Sequence, residues 1–376
     1  MNRKEAITWV LSMTSSLRLS QAKTLAELVV GAVRVGRVSL ANIARWMSGS
    51  TSVKHRIKRV WRFTSNPRIE PTTAMEGLVS RLVRRPSRRG RTGRRGALVV
   101  SLDWTDLREF KVLMASADIR GRSVPLVWAT YRKWEFYRSQ NNLEEGLLRR
   151  LKTLLPAGTR VILLADRGFG RTELARTCQA LGFHYLIRIN PDVWVDCERY
   201  RGNLQDYPVR RGMARVLEGV RYRKHDPVEQ NVVIRWKGRL PKHRDECWFL
   251  MTDLSGRAEG LSDLYARRMR VEQLFRDDKN RRNGWALRNL QVSRPERVDR
   301  LLLVLAFAYV LLCGIGLYAW RRYDPSTWCS NTRAKTCRVF TIGRFLLMRL
   351  PELTPSPPTA FREVIQATHA AAPNWG

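Results

Sequence analysis

Tyr265, Arg268, Glu272 and Lys279 stand at offsets of 0, 3, 7 and 14. On an α-helix of about 3.6 residues per turn these offsets share one narrow stripe, so a phenol, a guanidinium, a carboxylate and an ammonium face the same way. Such a stripe has two readings. It is a solvated helix face whose i,i+4 ion pairs are worth only tenths of a kcal/mol, or it is a site where the acid meets a metal and the cations hold phosphates. Two aspartates bear on the choice: Asp103 ends the apolar run ALVVSLD and Asp166 ends VILLAD. Each alone is ordinary turn chemistry, but ligands gather at the carboxyl ends of strands in open α/β sheets. Two carboxylates at neighbouring strand ends repel one another unless a cation lies between them, and Mg²⁺, with Mn²⁺ as its substitute, is the usual hard ion. With Glu272 laid across the same edge, three acids would hold two ions roughly 4 Å apart, an arrangement suited to phosphoryl transfer. Asp106, Asp118, Asp277 and Asp278 read as spare, solvated carboxylates.

The elements that must position these groups can be read from hydrophobic pattern and punctuation. ALVVSLD, REFKVLMASADI and RSVPLVWATY are strands, with a turn at Arg120 and Gly121. A helix LEEGLLRRLKTLL, a strand VILLAD, a helix TELARTCQALG and a strand HYLIRI follow, which predicts a mixed α/β sheet over residues 97–190. Residues 191–255 turn strand-rich again (ARVLEGVRY, NVVIRWKG, CWFLMTD) and read as a β insertion. Residues 256–350 return to helices, beginning with Leu261–Arg282, which carries the stripe. PELTPSPPTA opens a Pro-rich tether and short terminal segment over 351–376; the segment after Pro358 is the candidate dimer interface. Residues 1–80 read as helical. Ser39 and Ser52 are expected N-caps of two short helices, either a helix-turn-helix presenting Lys54, His55, Arg56, Lys58 and Arg59 to DNA or a plain helical hairpin with a basic face. Between this unit and the sheet, residues 81–96 contain RLVRRPSRRGRTGRR, an Arg-rich linker that seeks phosphates.

Composition narrows the partners. Sixty-nine Lys and Arg against 33 Asp and Glu leave a formal charge of +36, so nucleic acid is the expected partner. Forty-four percent hydrophobic residues and 13 tryptophans exclude a disordered basic tail. Six cysteines (Cys178, Cys197, Cys247, Cys313, Cys329 and Cys337) show neither zinc-ligand nor disulfide-framework spacing. That usage suits a reducing cytoplasm, and ITWVLSM is too broken for the apolar core of a signal peptide. Leu301–Trp320 is a 20-residue run without a charge. It is long enough to span a bilayer, yet solitary and interrupted by glycines, and is read here as a buried central helix with no membrane partner.

With these residues in place, the chain resembles the DDE transposases of bacterial insertion sequences, in the group marked Y-x2-R-x3-E-x6-K. Tyr265, Arg268, Glu272 and Lys279 match that signature without a gap, and VSLD and LLADRGF accompany it. The resemblance implies an RNase H-like mixed sheet with a β-strand-rich insertion, preceded by an α-helical domain that binds DNA ends. It implies Asp103, Asp166 and Glu272 as the metal-binding triad, with Tyr265, Arg268 and Lys279 on phosphates of the strand not being joined; Arg167, beside Asp166, is a further phosphate candidate. Some members stack a flipped base on a Trp that matches Trp248 in WFLMT, with Trp236 a weaker match; as an alternative, Trp248 is core of its strand. Trp104 departs from the small polar residue expected after the first acid.

The expected activity is therefore binding of double-stranded terminal inverted repeats by a homodimer, followed by metal-dependent cleavage and strand transfer into target DNA. Two other functions use the same features. A structure-specific nuclease or junction resolvase would share the acids but not need the basic linker, and an inactive repressor would bind without cutting.

Overall fold

The computed structural model of the chain describes residues 2–47, 49–84, 96–135, 140–236, 247–282, 284–329 and 338–370. Five helices come first: α1 (Arg3–Met13), α2 (Leu19–Arg34), α3 (Leu40–Trp46), α4 (Val53–Ser65) and α5 (Pro71–Val83). The caps expected from sequence are present, with Ser39 Oγ accepting the Asn42 amide at 3.0 Å and Ser52 Oγ accepting the His55 amide at 3.4 Å. The Glu70 carboxylate caps α5 by accepting the Thr73 amide at 2.6 Å, and Pro71 opens the helix where no amide is needed. Because α5 runs to Val83, the segment read as a linker begins inside a helix. Its residues 85–95 lie outside the described residues.

The sheet follows: β1 (Leu98–Leu107), β2 (Phe110–Ile119) and β3 (Arg122–Arg132), then α6 (Gln140–Leu154), β4 (Val161–Ala165), α7 (Thr172–Leu181) and β5 (Phe183–Arg188). The two-residue turn between β2 and β3 is Arg120–Gly121, where Gly121 takes φ +73°. Pro125 lies in β3 beside a bulge in that same strand, where Leu126 is the extra residue, and is tolerated because β3 is the edge strand. Next come β6 (Trp194–Cys197), β7 (Tyr200–Asn203), β8 (Ala214–Tyr222), β9 (Val228–Trp236) and β10 (Cys247–Thr252), and then the helices α8 (Ala258–Ala266), α9 (Met269–Lys279), α10 (Pro295–Arg322), α11 (Val339–Arg349) and α12 (Pro357–Ala370).

Among the described residues, the ten strands belong to one sheet, in the order β3-β2-β1-β4-β5-β10-β9-β8-β6-β7. β2 runs antiparallel to both β1 and β3, while β1, β4 and β5 run parallel. The strand-rich region expected as an insertion thus extends the main sheet. β10 pairs antiparallel with β5, Thr252 opposite Leu186, and satisfies an edge that would otherwise expose backbone donors and acceptors.

α10 is the axis on which the remaining helices pack, touching α2, α4, α5, α11, α12 and β3. By length and composition it could cross a membrane, but 94% of its most apolar window is buried inside the protein. Gly314 and Gly316 make the close crossings possible, since a Cβ on either would overlap the backbone carbonyl of Ala360 or Val339. Trp9 of α1 meets Phe307 of α10 and Phe361 of α12 edge-on, with ring centroids 5.8 and 5.5 Å apart. The N-terminal helices and the C-terminal segment therefore share one core. The Pro-rich stretch starts α12 instead of tethering a loose tail, and the segment considered for dimerisation buries Ala360, Phe361, Val364 and Ala367 within its own chain.

Candidate active site

Parallel pairing of β1 with β4 sets the two aspartates. Leu98, Val99, Val100 and Ser101 lie opposite Val161, Ile162, Leu163 and Leu164, a constant offset of 63 that, carried two residues further, brings Asp103 beside Asp166. β1 does not end at Asp103 as the sequence suggested. It continues to Leu107 along β2, but β4 stops at Ala165, so Asp103 lies where one neighbour has ended. Asp166 turns immediately to cap a short 3-10 turn, Arg167–Phe169, its Oδ1 accepting the Gly168 amide at 2.9 Å.

Glu272 arrives on α9. The single helix expected over Leu261–Arg282 is two helices, α8 and α9, joined at Arg267 and Arg268. The amides of Arg267, Arg268, Arg270 and Val271 bond three residues back, at 2.9 to 3.1 Å, so a tightened turn replaces one turn of α-helix. α9 is held to the sheet by acids that composition made look spare. Arg270 donates to Asp118 at 2.5 Å, and Arg122 and Tyr309 donate to Asp277 Oδ2 at 2.7 and 2.9 Å. Asp118, Asp277 and Asp278 are all buried, contrary to the expectation of solvated roles; Asp106 is the exposed one. The reason is that α9 packs Asp277 and Asp278 inward and lays Arg270 against Asp118 of β2.

Arg268 joins the acids. Its Nη1 donates to Asp103 Oδ2 at 3.2 Å and its Nη2 to Glu272 Oε1 at 2.7 Å. Burial pushes the Asp103 carboxyl up to about 7; Arg268 opposes this, while the charges of Asp166 and Glu272 add to it. Lys279, two turns beyond Glu272, donates to Thr105 Oγ1 at 2.5 Å, so the stripe lies along β1 and does not converge on one point. Tyr265 is buried, and burial raises its phenol to about 12. The Trp248 indole meets it edge-on at 5.3 Å. Trp236 closes β9, opposite Cys247, and Arg167 is exposed at the start of the short turn.

One acid that sequence reasoning passed over ties both aspartate-bearing segments together. Glu144 of α6 is fully buried; it accepts Trp104 Nε1 at 2.6 Å and Gln140 Nε2 at 2.9 Å, and forms an ion pair with buried Arg171. Trp104 follows Asp103, and Arg171 comes directly after the DRGFG segment that Asp166 opens. Trp104, where a small polar residue was expected, is thus a clamp, its ring also lying 5.9 Å from that of Tyr131. The signal was present: Glu144, Leu147, Leu148 and Leu151 share one helical face, which marks the glutamate as buried. Arg188, at the end of β5, was also missed and brings positive charge toward Tyr265.

The donor set of Asp103, Asp166 and Glu272 is all carboxylate oxygen, the chemistry of a hard divalent ion. Among the described residues no three His, Cys, Asp or Glu side chains come close enough together to grip an ion as they stand. Arg268 supplies the positive charge between Asp103 and Glu272 instead.

Residues 139–311 match the family described as the transposase DDE domain. The match takes in Asp166 and Glu272 and begins after Asp103; it supports a DDE transposase, and that family implies a DNA substrate. No curated protein matches the chain.

Proposed function

We propose that the protein is a cytoplasmic insertion-sequence transposase that binds the terminal inverted repeats of its own element as a homodimer, cuts at them and joins the freed ends to target DNA. The observation that carries this reading is the register of β1 on β4, which sets Asp103 beside Asp166 while Arg268 links Asp103 to Glu272. The order β3-β2-β1-β4-β5, three antiparallel strands followed by two parallel ones, supports an RNase H-like core.

In cleavage, a water oxygen attacks phosphorus and gives up a proton, the bond to the 3′-oxygen breaks to leave a 5′-phosphate, and the leaving oxygen takes a proton to become a 3′-OH. In joining, that 3′-OH attacks a target phosphodiester, gives up its proton, and displaces a target 3′-oxygen. Asp103, Asp166 and Glu272 would hold the divalent ions, which supply charge stabilisation for the attacking and leaving oxygens. Lys279 and Arg268 place positive charge on the DNA phosphates beside that point. Tyr265 stays a neutral phenol at any working pH, because burial raises it to about 12.

The test is incubation of the protein with a DNA fragment carrying its own gene and flanks, with Mg²⁺ or Mn²⁺, beside Glu272→Gln. Metal-dependent cuts at two flanking positions, absent in the variant, are expected; Glu272→Gln cutting at the parent's rate would overturn the assignment.

A further inference from the structure

A second basic site lies away from the carboxylates, between the C-terminal end of α4 and the N-terminal end of α10. It is a cavity of about 790 Å³ lined by Trp61, Arg62, Ser65, Arg294, Glu296 and Arg297, with Arg300 behind them. Trp61 is 52% exposed, unusual for so large an apolar ring, and the Arg297 guanidinium lies over it at 5.2 Å. Ser65 Oγ and Arg297 Nε are buried in this wall without a hydrogen-bond partner. Among the described residues, Arg62, Arg294 and Arg297 form no ion pair, although Glu296 is a neighbour. Burial, and then the like charge of Arg294, hold Arg297 below the usual guanidinium range. Several cations thus share one wall with a single acid and two unmet polar atoms.

Arg300 differs from the others. It is buried and donates to the Ile69 carbonyl at 2.9 Å and the Thr64 carbonyl at 3.2 Å, closing the end of α4. Nor do all the α4 cations expected to enter DNA point outward. Arg56 donates to the carbonyls of Thr51 and Met47, and Arg59 to Thr24 Oγ1 at 3.3 Å, so both brace the helical unit itself. Lys54, His55 and Lys58 stay exposed along α4, and at its C-terminal end Trp61 and Arg62 are exposed as well, beside the cavity.

We infer that this groove binds the phosphodiester backbone of duplex DNA. Arg62, Arg294 and Arg297 donate to phosphate oxygens, Ser65 supplies a hydroxyl, and Trp61 covers a deoxyribose. The inference rests on the reading that the protein acts on DNA, and adds a contact surface separate from the carboxylates.

The experiment is anisotropy of a fluorescein-labelled duplex bearing the flank of the gene, without divalent metal, across a salt series. The triple variant Arg62→Ala, Arg294→Ala, Arg297→Ala is expected to bind at least about tenfold more weakly, with the slope of log affinity against log salt shallower by about 2 to 3, roughly one per lost phosphate contact. Thermal melts of parent and variant check folding. Trp61→Phe, which keeps the ring plane, is expected to bind DNA while losing part of the tryptophan quenching that DNA causes in the parent. An unchanged salt slope and affinity in a folded triple variant would overturn the inference, as would identical quenching in Trp61→Phe. Those outcomes leave the Glu272→Gln cleavage comparison untouched, so the groove and the proposed function fail separately.

Discussion

The Arg268 guanidinium spans Asp103 and Glu272, 3.2 Å from one carboxylate and 2.7 Å from the other, and is itself largely buried. It neutralises acids that would otherwise repel one another at close range, the role a divalent ion would share. Arg268→Ala is expected to lower Tm without metal, to gain more Tm on adding Mg²⁺ than the parent does, and to lose cleavage. Melting curves with and without Mg²⁺ check it. An equal metal response in both proteins would show that the guanidinium is not standing in for cationic charge.

Glu144 is predicted to position both aspartate segments. Glu144→Leu leaves Arg171 buried without its partner, and breaking a buried pair from one side costs about 3–5 kcal/mol. Glu144→Gln keeps an acceptor for Trp104 and Gln140 and should cost less. Urea unfolding of the two variants gives the order. In the Gln variant, single-turnover cleavage should fall more than DNA affinity, because the residue steadies Trp104 and Arg171 and lies fully inside the protein.

Asp278 yields a pH prediction. Burial first, and the Asp277 charge second, push its carboxyl up to about 8. An unfolded aspartate titrates near about 3.9, so the folded chain keeps an extra proton between those values. Its contribution to stability is complete below the lower value and is lost as pH rises through the upper one. Asp278→Asn should therefore melt several degrees above the parent at alkaline pH, with the gain shrinking toward about pH 5. A gain independent of pH would mean that the side chain is not titrating there.

Trp248 and Tyr265 meet edge-on at 5.3 Å. If Trp248 receives a flipped base, Trp248→Ala keeps first-strand nicking and loses hairpin formation at the element's end. Gels resolving nicked and hairpin products separate the steps; equal loss of both would mark Trp248 as packing for Tyr265.

Sequence by itself determined the parts that depend on short-range pattern. The strand running up to Asp166, the Ser39 and Ser52 caps and the Arg120–Gly121 turn are each specified by residues within a few positions of one another, whereas the end of β1 at Leu107 was not legible. The Tyr265, Arg268, Glu272 and Lys279 spacing was legible for the same reason, although the tightened turn at Arg267 was not. That turn is fixed by what α8 and α9 pack against.

Tertiary structure decided the rest. No local pattern reveals that Asp103 and Asp166 share a register, because parallel pairing is set by strands 63 residues apart. The fate of the extra acids was equally hidden: Asp118, Asp277 and Asp278 look soluble in a charged sequence and are buried by partners from β3, α9 and α10. The 20-residue apolar run is compatible with lipid or with protein on every side, and its neighbours chose protein. A residue's burial is a property of what arrives from far along the chain, and spacing within one element carries no record of that arrival.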